Sequence, residues 1–116
     1  MVSENILQAI GDTPLVRLSK IVPQGYADVL VKIEGQNVGG SIKTRTAYNM
    51  VCDAEKRGVL RKDSVIVEPT SGNQGIGLAL VGAVKGYRVV IVMPDSVSEE
   101  RHDDDNTVAL DRTNQC

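Results

Sequence analysis

The residues best suited to chemistry are Pro69-Thr70-Ser71-Gly72-Asn73-Gln74-Gly75, which join an apolar strand, Ser64 to Val67, to a helical pattern of small and aliphatic residues (Ile76, Leu78, Ala79, Leu80, Ala83, Val84). Hydroxyls, amides and bare backbone at such a junction form an anion cradle. In parallel α/β sheets ligands bind outside the carboxyl ends of the strands, where the next helix presents unpaired N–H groups and the positive end of its dipole. A carboxylate or phosphate fits there. The competing reading is a plain strand-to-helix turn in which Ser71 or Asn73 caps the helix.

A second glycine-flanked element lies upstream. Asn37-Val38-Gly39-Gly40-Ser41-Ile42-Lys43-Thr44-Arg45 stands between a strand-like run, Val29 to Ile33, and a helix from Ser41 to about Arg57, which puts a lysine in that helix's first turn. The helix dipole disfavours positive charge there by roughly 0.3–1 kcal/mol. That favours the neutral amine which Schiff-base chemistry uses. The alternative is a solvated surface lysine, the usual state of the thirteen basic residues in this chain. Two nucleotide-binding motifs are excluded. A P-loop needs Lys-Ser/Thr directly after its last glycine, but Ser41 follows Gly40 and Lys43-Thr44 comes too late. The dinucleotide fingerprint is also absent, since Gly72, Gly75 and Gly77 give G-x-x-G-x-G, so a reductase is a distant reading.

Three ordered motifs carry a resemblance. Ile10-Gly11-Asp12-Thr13-Pro14-Leu15-Val16-Arg17-Leu18, Gly39-Gly40-Ser41-Ile42-Lys43-Thr44-Arg45 and Glu68-Pro69-Thr70-Ser71-Gly72-Asn73-Gln74-Gly75-Ile76-Gly77 together resemble the cysteine synthase family of fold-type II pyridoxal-phosphate enzymes. The likeness covers Met1 to about Arg101. It implies pyridoxal 5'-phosphate as cofactor. It also implies that Lys43 forms the Schiff base and that Asn73 hydrogen-bonds the cofactor's phenolic oxygen. Thr70, Ser71, Gly72, Asn73 and Gln74 would hold the amino-acid carboxylate. The implied reaction is β-replacement, with O-acetylserine and sulfide giving cysteine in a full-length relative, itself expected to be a homodimer. Serine or threonine dehydratases and other β-synthases are the neighbouring readings. A fragment that keeps the fold without catalysis, serving as an interaction domain, is the reading from another class.

Departures from that family pattern are informative. Val38 and Thr44 stand where many members have Pro and Asp, and both changes look structural. Gln74 stands where many have Thr, inside the carboxylate loop, and an amide reaches farther than a hydroxyl. Family members are two-domain chains, whereas this sequence has 116 residues, the size of one domain. The family's phosphate-gripping glycine loop and the hydroxyl facing the pyridine nitrogen find no counterpart after Gly77. The chain is therefore expected to bind the cofactor weakly and to be inactive alone. Residues 1–101 read as the N-terminal part of such an enzyme and 102–116 as a divergent, disordered tail, in which His102 is a solvated side chain. His102-Asp103-Asp104-Asp105 interrupts the pattern with no apolar stripe after it, as a reading-frame shift near Arg101 would produce; a naturally acidic end is the alternative.

The elements that must position these residues alternate. The pattern predicts a short helix (Asn5 to Ile10), strands Leu15 to Leu18 and Val29 to Ile33 separated by a Pro23-Gln24-Gly25 turn, helix Ser41 to Arg57, strand Ser64 to Val67, helix Asn73 to Lys85 and strand Arg88 to Met93. Gly58 and Gly86 mark the helix ends. The fold class is α/β, a parallel sheet with helices on both faces, and the resemblance makes it part of a tryptophan-synthase-β-like fold. A net charge of −2 leaves no electrostatic footprint for nucleic acid or an anionic membrane. No apolar run approaches ~18 residues and no signal-peptide pattern opens the chain, so the cytoplasm is expected. Cys52 and Cys116 are too few for a metal motif, and Cys52 reads as packing. With no Phe or Trp and three Tyr, aliphatic side chains must build the core.

Overall fold

The computed structural model describes residues 2–93. The expectations for the tail, including His102, Cys116 and the break near Arg101, lie outside the described residues.

Helix α2 spans Asn73–Lys85, the predicted range. Its end is set by Gly86, whose φ of 80° closes the helix with an N–H to the Gly82 carbonyl. Helix α1 spans Lys43–Lys56, starting two residues later than predicted because Ser41 is extended (φ −158°) after a 3-10 turn over Val38–Gly40. The N-terminal segment forms one 3-10 turn, Ile6–Ala9, capped by the Asn5 side chain accepting from the Leu7 N–H.

Four strands are present among the described residues: β1 (Leu15–Arg17), β2 (Leu30–Lys32), β3 (Val65–Pro69) and β4 (Arg88–Val92). β3 and β4 pair in parallel, Val65 opposite Arg88 through Pro69 opposite Val92, with α2 as the crossover. This is the expected α/β unit. β1 and β2 do not join it: they pair with each other antiparallel, Val16 opposite Val31, and every residue of both is exposed. The reason lies in their connection. A parallel pair needs a crossover of a dozen or more residues, usually a helix, whereas Leu18 to Val29 turns back at Pro23–Tyr26 with a Tyr26 N–H to Pro23 carbonyl bond.

The core lies where α1 and α2 meet β4: Leu7, Ala47, Val51, Leu78, Val81, Val89 and Ile91 are buried, with Ile66, Leu60, Tyr48 and Tyr87 packed around them. Alternation along β4 sends Val89 and Ile91 to this core, while Val65, Val67 and Val92 stay exposed. The helices cross closely at Gly77, where an added Cβ would stand 3.0 Å from the Lys43 carbonyl oxygen and 3.1 Å from the Ala47 Cβ. At their far ends Glu55 ties them together, accepting from Lys85 Nζ at 2.7 Å and from the Tyr87 hydroxyl at 2.8 Å. Lys85, and after it Tyr87, hold the Glu55 carboxyl below its ordinary range. Cys52 is half-buried on α1 and unpaired as a disulfide.

Candidate active site

The crossing at Gly77 brings the two predicted motifs together. It sets the Lys43 carbonyl, at the start of α1, against the second turn of α2, which begins with Asn73. The Lys43 side of the site is closely bonded. Gly39 adopts φ 77°, and an added Cβ there would meet the Thr44 hydroxyl at 2.5 Å. Thr44 is fully buried and donates that hydroxyl to the Val38 carbonyl at 2.5 Å, so it closes the turn ahead of the lysine, a structural role as expected. The Lys43 N–H donates to the Ser41 hydroxyl at 3.2 Å, and the Lys43 residue is itself exposed.

The Ile10–Leu18 motif is drawn in through buried polar groups. The Gly11 N–H donates to Asn37 Oδ1 at 3.0 Å, and the Thr13 hydroxyl donates to Glu34 at 2.6 Å. Gly11 (φ 109°) and Asp12 (φ 46°) turn the chain sharply, and an added Cβ at Gly11 would press on Arg45. The Arg45 guanidinium, and after it the Thr13 hydroxyl, hold the Glu34 carboxyl down at about 2. The same bond raises Arg45 above its ordinary value. Glu34 and Arg45 were not among the predicted site residues. Arg45 lay within a recognised motif, but the tertiary partner that gives it a role, Glu34, carried no sequence signal.

The Thr70–Gln74 side is different. The N-cap of α2 is Gly72, and no side chain caps the helix, so neither Ser71 nor Asn73 takes the capping role that was the competing reading. The Gly72 N–H donates to the Thr70 hydroxyl at 3.3 Å and the Thr70 N–H to the Val92 carbonyl at 3.1 Å, which ties the loop to the end of β4. At the carboxyl ends of β3 and β4 an open cleft of about 430 Å³ is lined by Pro69, Thr70, Ser71, Val92 and Met93. Thr70 and Ser71 thus line the cleft, and Gly72 and Asn73 are exposed beside it at the start of α2. Gln74 turns elsewhere: its Nε2 donates to Met50 Sδ on α1 at 3.6 Å.

An amine at one helix start, and hydroxyl, amide and uncapped backbone N–H groups at the start of its neighbour, suit an aldehyde-bearing anionic cofactor and a carboxylate ligand. Residues 6–108 match the family described as pyridoxal-phosphate dependent enzyme, and the chain belongs to that family. It is 52% identical over 97 residues to a probable cysteine synthase of Bacillus subtilis (84% of this chain, 31% of that protein) and 49% identical over 94 residues to cysteine synthase B of Salmonella typhimurium (81% and 31%). Among solved structures, a hydrogen sulfide-producing enzyme from Fusobacterium nucleatum superimposes with a TM-score of 0.79 at 48% identity, covering 89% of this chain and 34% of that one. An O-ureido-L-serine synthase gives a TM-score of 0.79 and 48% identity, covering 89% and 32%. The chain spans about a third of the length of the curated relatives it matches.

Proposed function

We propose that this chain carries the lysine and carboxylate-binding part of a pyridoxal-phosphate-dependent β-replacement enzyme that makes cysteine from O-acetylserine and sulfide. The observation that supports it most is the close approach of the Lys43 carbonyl to Gly77, one turn into a helix whose N-terminus no side chain caps. Lys43 holds the cofactor aldehyde and Asn73 donates to its phenolic oxygen. The hydroxyls of Thr70 and Ser71 and the backbone N–H groups of Asn73 and Gln74 orient the substrate carboxylate, so that once the substrate amine has displaced Lys43 from the cofactor aldehyde the freed Nζ can take the proton of the α-C–H bond. The cofactor, when bound, supplies the sink for the electrons that the departing proton leaves behind.

Residues 1–101 form the unit that contributes this half-site, and 102–116 a separate tail. The enzyme works in the cytoplasm as a homodimer. No helix among the described residues is long and apolar enough to cross a membrane. The described residues offer a cofactor phosphate only the N-termini of α1 and α2. The 116-residue chain alone is therefore expected to make no cysteine above the rate of free cofactor. The test is a chain in which residues 1–101 replace the matching part of the Bacillus subtilis relative, assayed with O-acetylserine with and without sulfide. Cysteine formed only with sulfide supports the reading. An α-keto acid and ammonia released without sulfide would show a dehydratase, and a folded, inactive chimaera would show a non-catalytic remnant.

A further inference from the structure

The Glu34 carboxylate grips both flanks of the segment that carries Lys43, and the proposed chemistry makes no use of it. Its Oε1 accepts from the Thr13 hydroxyl at 2.6 Å and from Arg45 Nη2 at 2.9 Å; its Oε2 accepts from Arg45 Nε at 2.9 Å and from Asn37 Nδ2 at 3.1 Å. Arg45 follows Lys43 by two residues on α1. Asn37 precedes the turn, where its Oδ1 accepts from the Val38 N–H at 3.0 Å and its Nδ2 reaches the Ser41 carbonyl at 3.4 Å. One carboxylate therefore anchors the chain on both sides of the lysine. Thr13 and Asn37 are buried and the Glu34 side chain is 15% exposed, so water competes weakly for these bonds.

We propose that Glu34 is a positioning residue for Lys43: it fixes the turn from Val38 to Arg45 so that the lysine amine is presented toward the start of α2. This rests on the reading of Lys43 as the cofactor lysine. The physical basis is the fork geometry of the pair. A guanidinium bound through two nitrogens to both oxygens of a carboxylate fixes orientation as well as distance, which a point charge cannot do. The helix start cannot rotate or slide without breaking several of these bonds together. Glu34 touches no reacting atom; it acts through Asn37 and Arg45.

The test compares reactivity at Lys43 with that of a lysine outside the clamp. The full chain and its Glu34→Gln, Thr13→Val and Thr13→Ser variants are incubated with pyridoxal phosphate, reduced with borohydride and digested. The adduct on Lys43 is then measured against that on the exposed Lys62 by mass spectrometry, with circular dichroism confirming that each variant is folded. Glutamine keeps the volume of Glu34 but puts an N–H₂ where an acceptor stood, and valine keeps the shape of Thr13 without its hydroxyl. Both should lower the Lys43-to-Lys62 ratio roughly tenfold. Thr13→Ser, which keeps the donor, should restore it. A wild-type ratio in folded Glu34→Gln and Thr13→Val overturns the positioning role while leaving the reading of Lys43 intact. Wild-type chain that labels Lys43 no more than Lys62 overturns that reading and the positioning role with it. If Glu34→Gln does not fold, the Thr13→Val and Thr13→Ser pair decides.

Discussion

Around Lys43 the turn is held by hydrogen bonds from the chain's own side chains, whereas at Thr70–Gln74 the loop is anchored at its edges and left uncapped at its centre. On the lysine side Thr13, Asn37 and Thr44 are buried, and each has a partner in the chain. On the loop side the two anchoring bonds involve Thr70, while Gly72 and Asn73 stand exposed at a helix start without a side-chain cap. Buried polar groups must be satisfied from within, since leaving one unpaired costs on the order of 1–3 kcal/mol. Groups that are to hold a ligand must instead keep their donors free. The contrast separates a turn whose buried polar groups are satisfied within the chain from a loop whose helix start has no side-chain cap.

The contrast depends on the close crossing at Gly77, and Gly77→Val should have the largest effect. The added side chain meets the Lys43 carbonyl and Ala47, and overpacking of this kind costs about 1–3 kcal/mol. A lower urea midpoint at unchanged slope would report it, with loss of Lys43 modification as α1 is pushed from α2. Wild-type stability in Gly77→Val would mean that the helices are not in register as described.

Ser71→Ala sharpens the contrast, because it should leave stability within about 0.5 kcal/mol while weakening amino-acid binding. A lost hydrogen bond to a charged group is worth on the order of 1.5–3 kcal/mol, read by titration in the chimaeric enzyme. Asn73→Ala should instead shift the absorption of the bound cofactor. Unchanged substrate affinity in Ser71→Ala would leave the Thr70–Gln74 loop a structural connection only.

A smaller effect is expected in acid. Glu34 has its carboxyl lowered from an ordinary 4.5 to about 2, so the clamp's contribution is complete above about pH 4.5 and is lost as the pH falls toward 2. Stability measured across that window should fall less steeply in Glu34→Gln than in the unaltered chain. Parallel curves would show that the clamp carries no pH-linked stability. The loop side offers no such titration.

The same contrast governs what could be read from sequence. The extent of α2 was legible because the apolar pattern from Ile76 to Val84 follows directly on the loop residues and Gly86 closes it. The parallel pairing of β3 and β4 followed from strand, helix and strand in succession. The residues of the loop were legible as types, hydroxyl and amide at a strand end, because their chemistry does not need a distant partner. Glu34 was not legible, since its meaning comes from Thr13, Asn37 and Arg45, which the fold gathers from three separate stretches. The antiparallel pairing of β1 and β2 was not legible in their apolar content, which parallel and antiparallel strands share. Gln74 was read as a loop ligand, yet its side chain reaches Met50, a contact set by how α1 crosses α2.

The central claim is that Lys43 is the residue to which the cofactor attaches, and peptide mapping of the unaltered chain after incubation with pyridoxal phosphate and borohydride reduction tests it directly. The account predicts the adduct concentrated on the peptide containing Lys43. An adduct concentrated on Lys56 or Lys85, or spread evenly over the lysines, would contradict it.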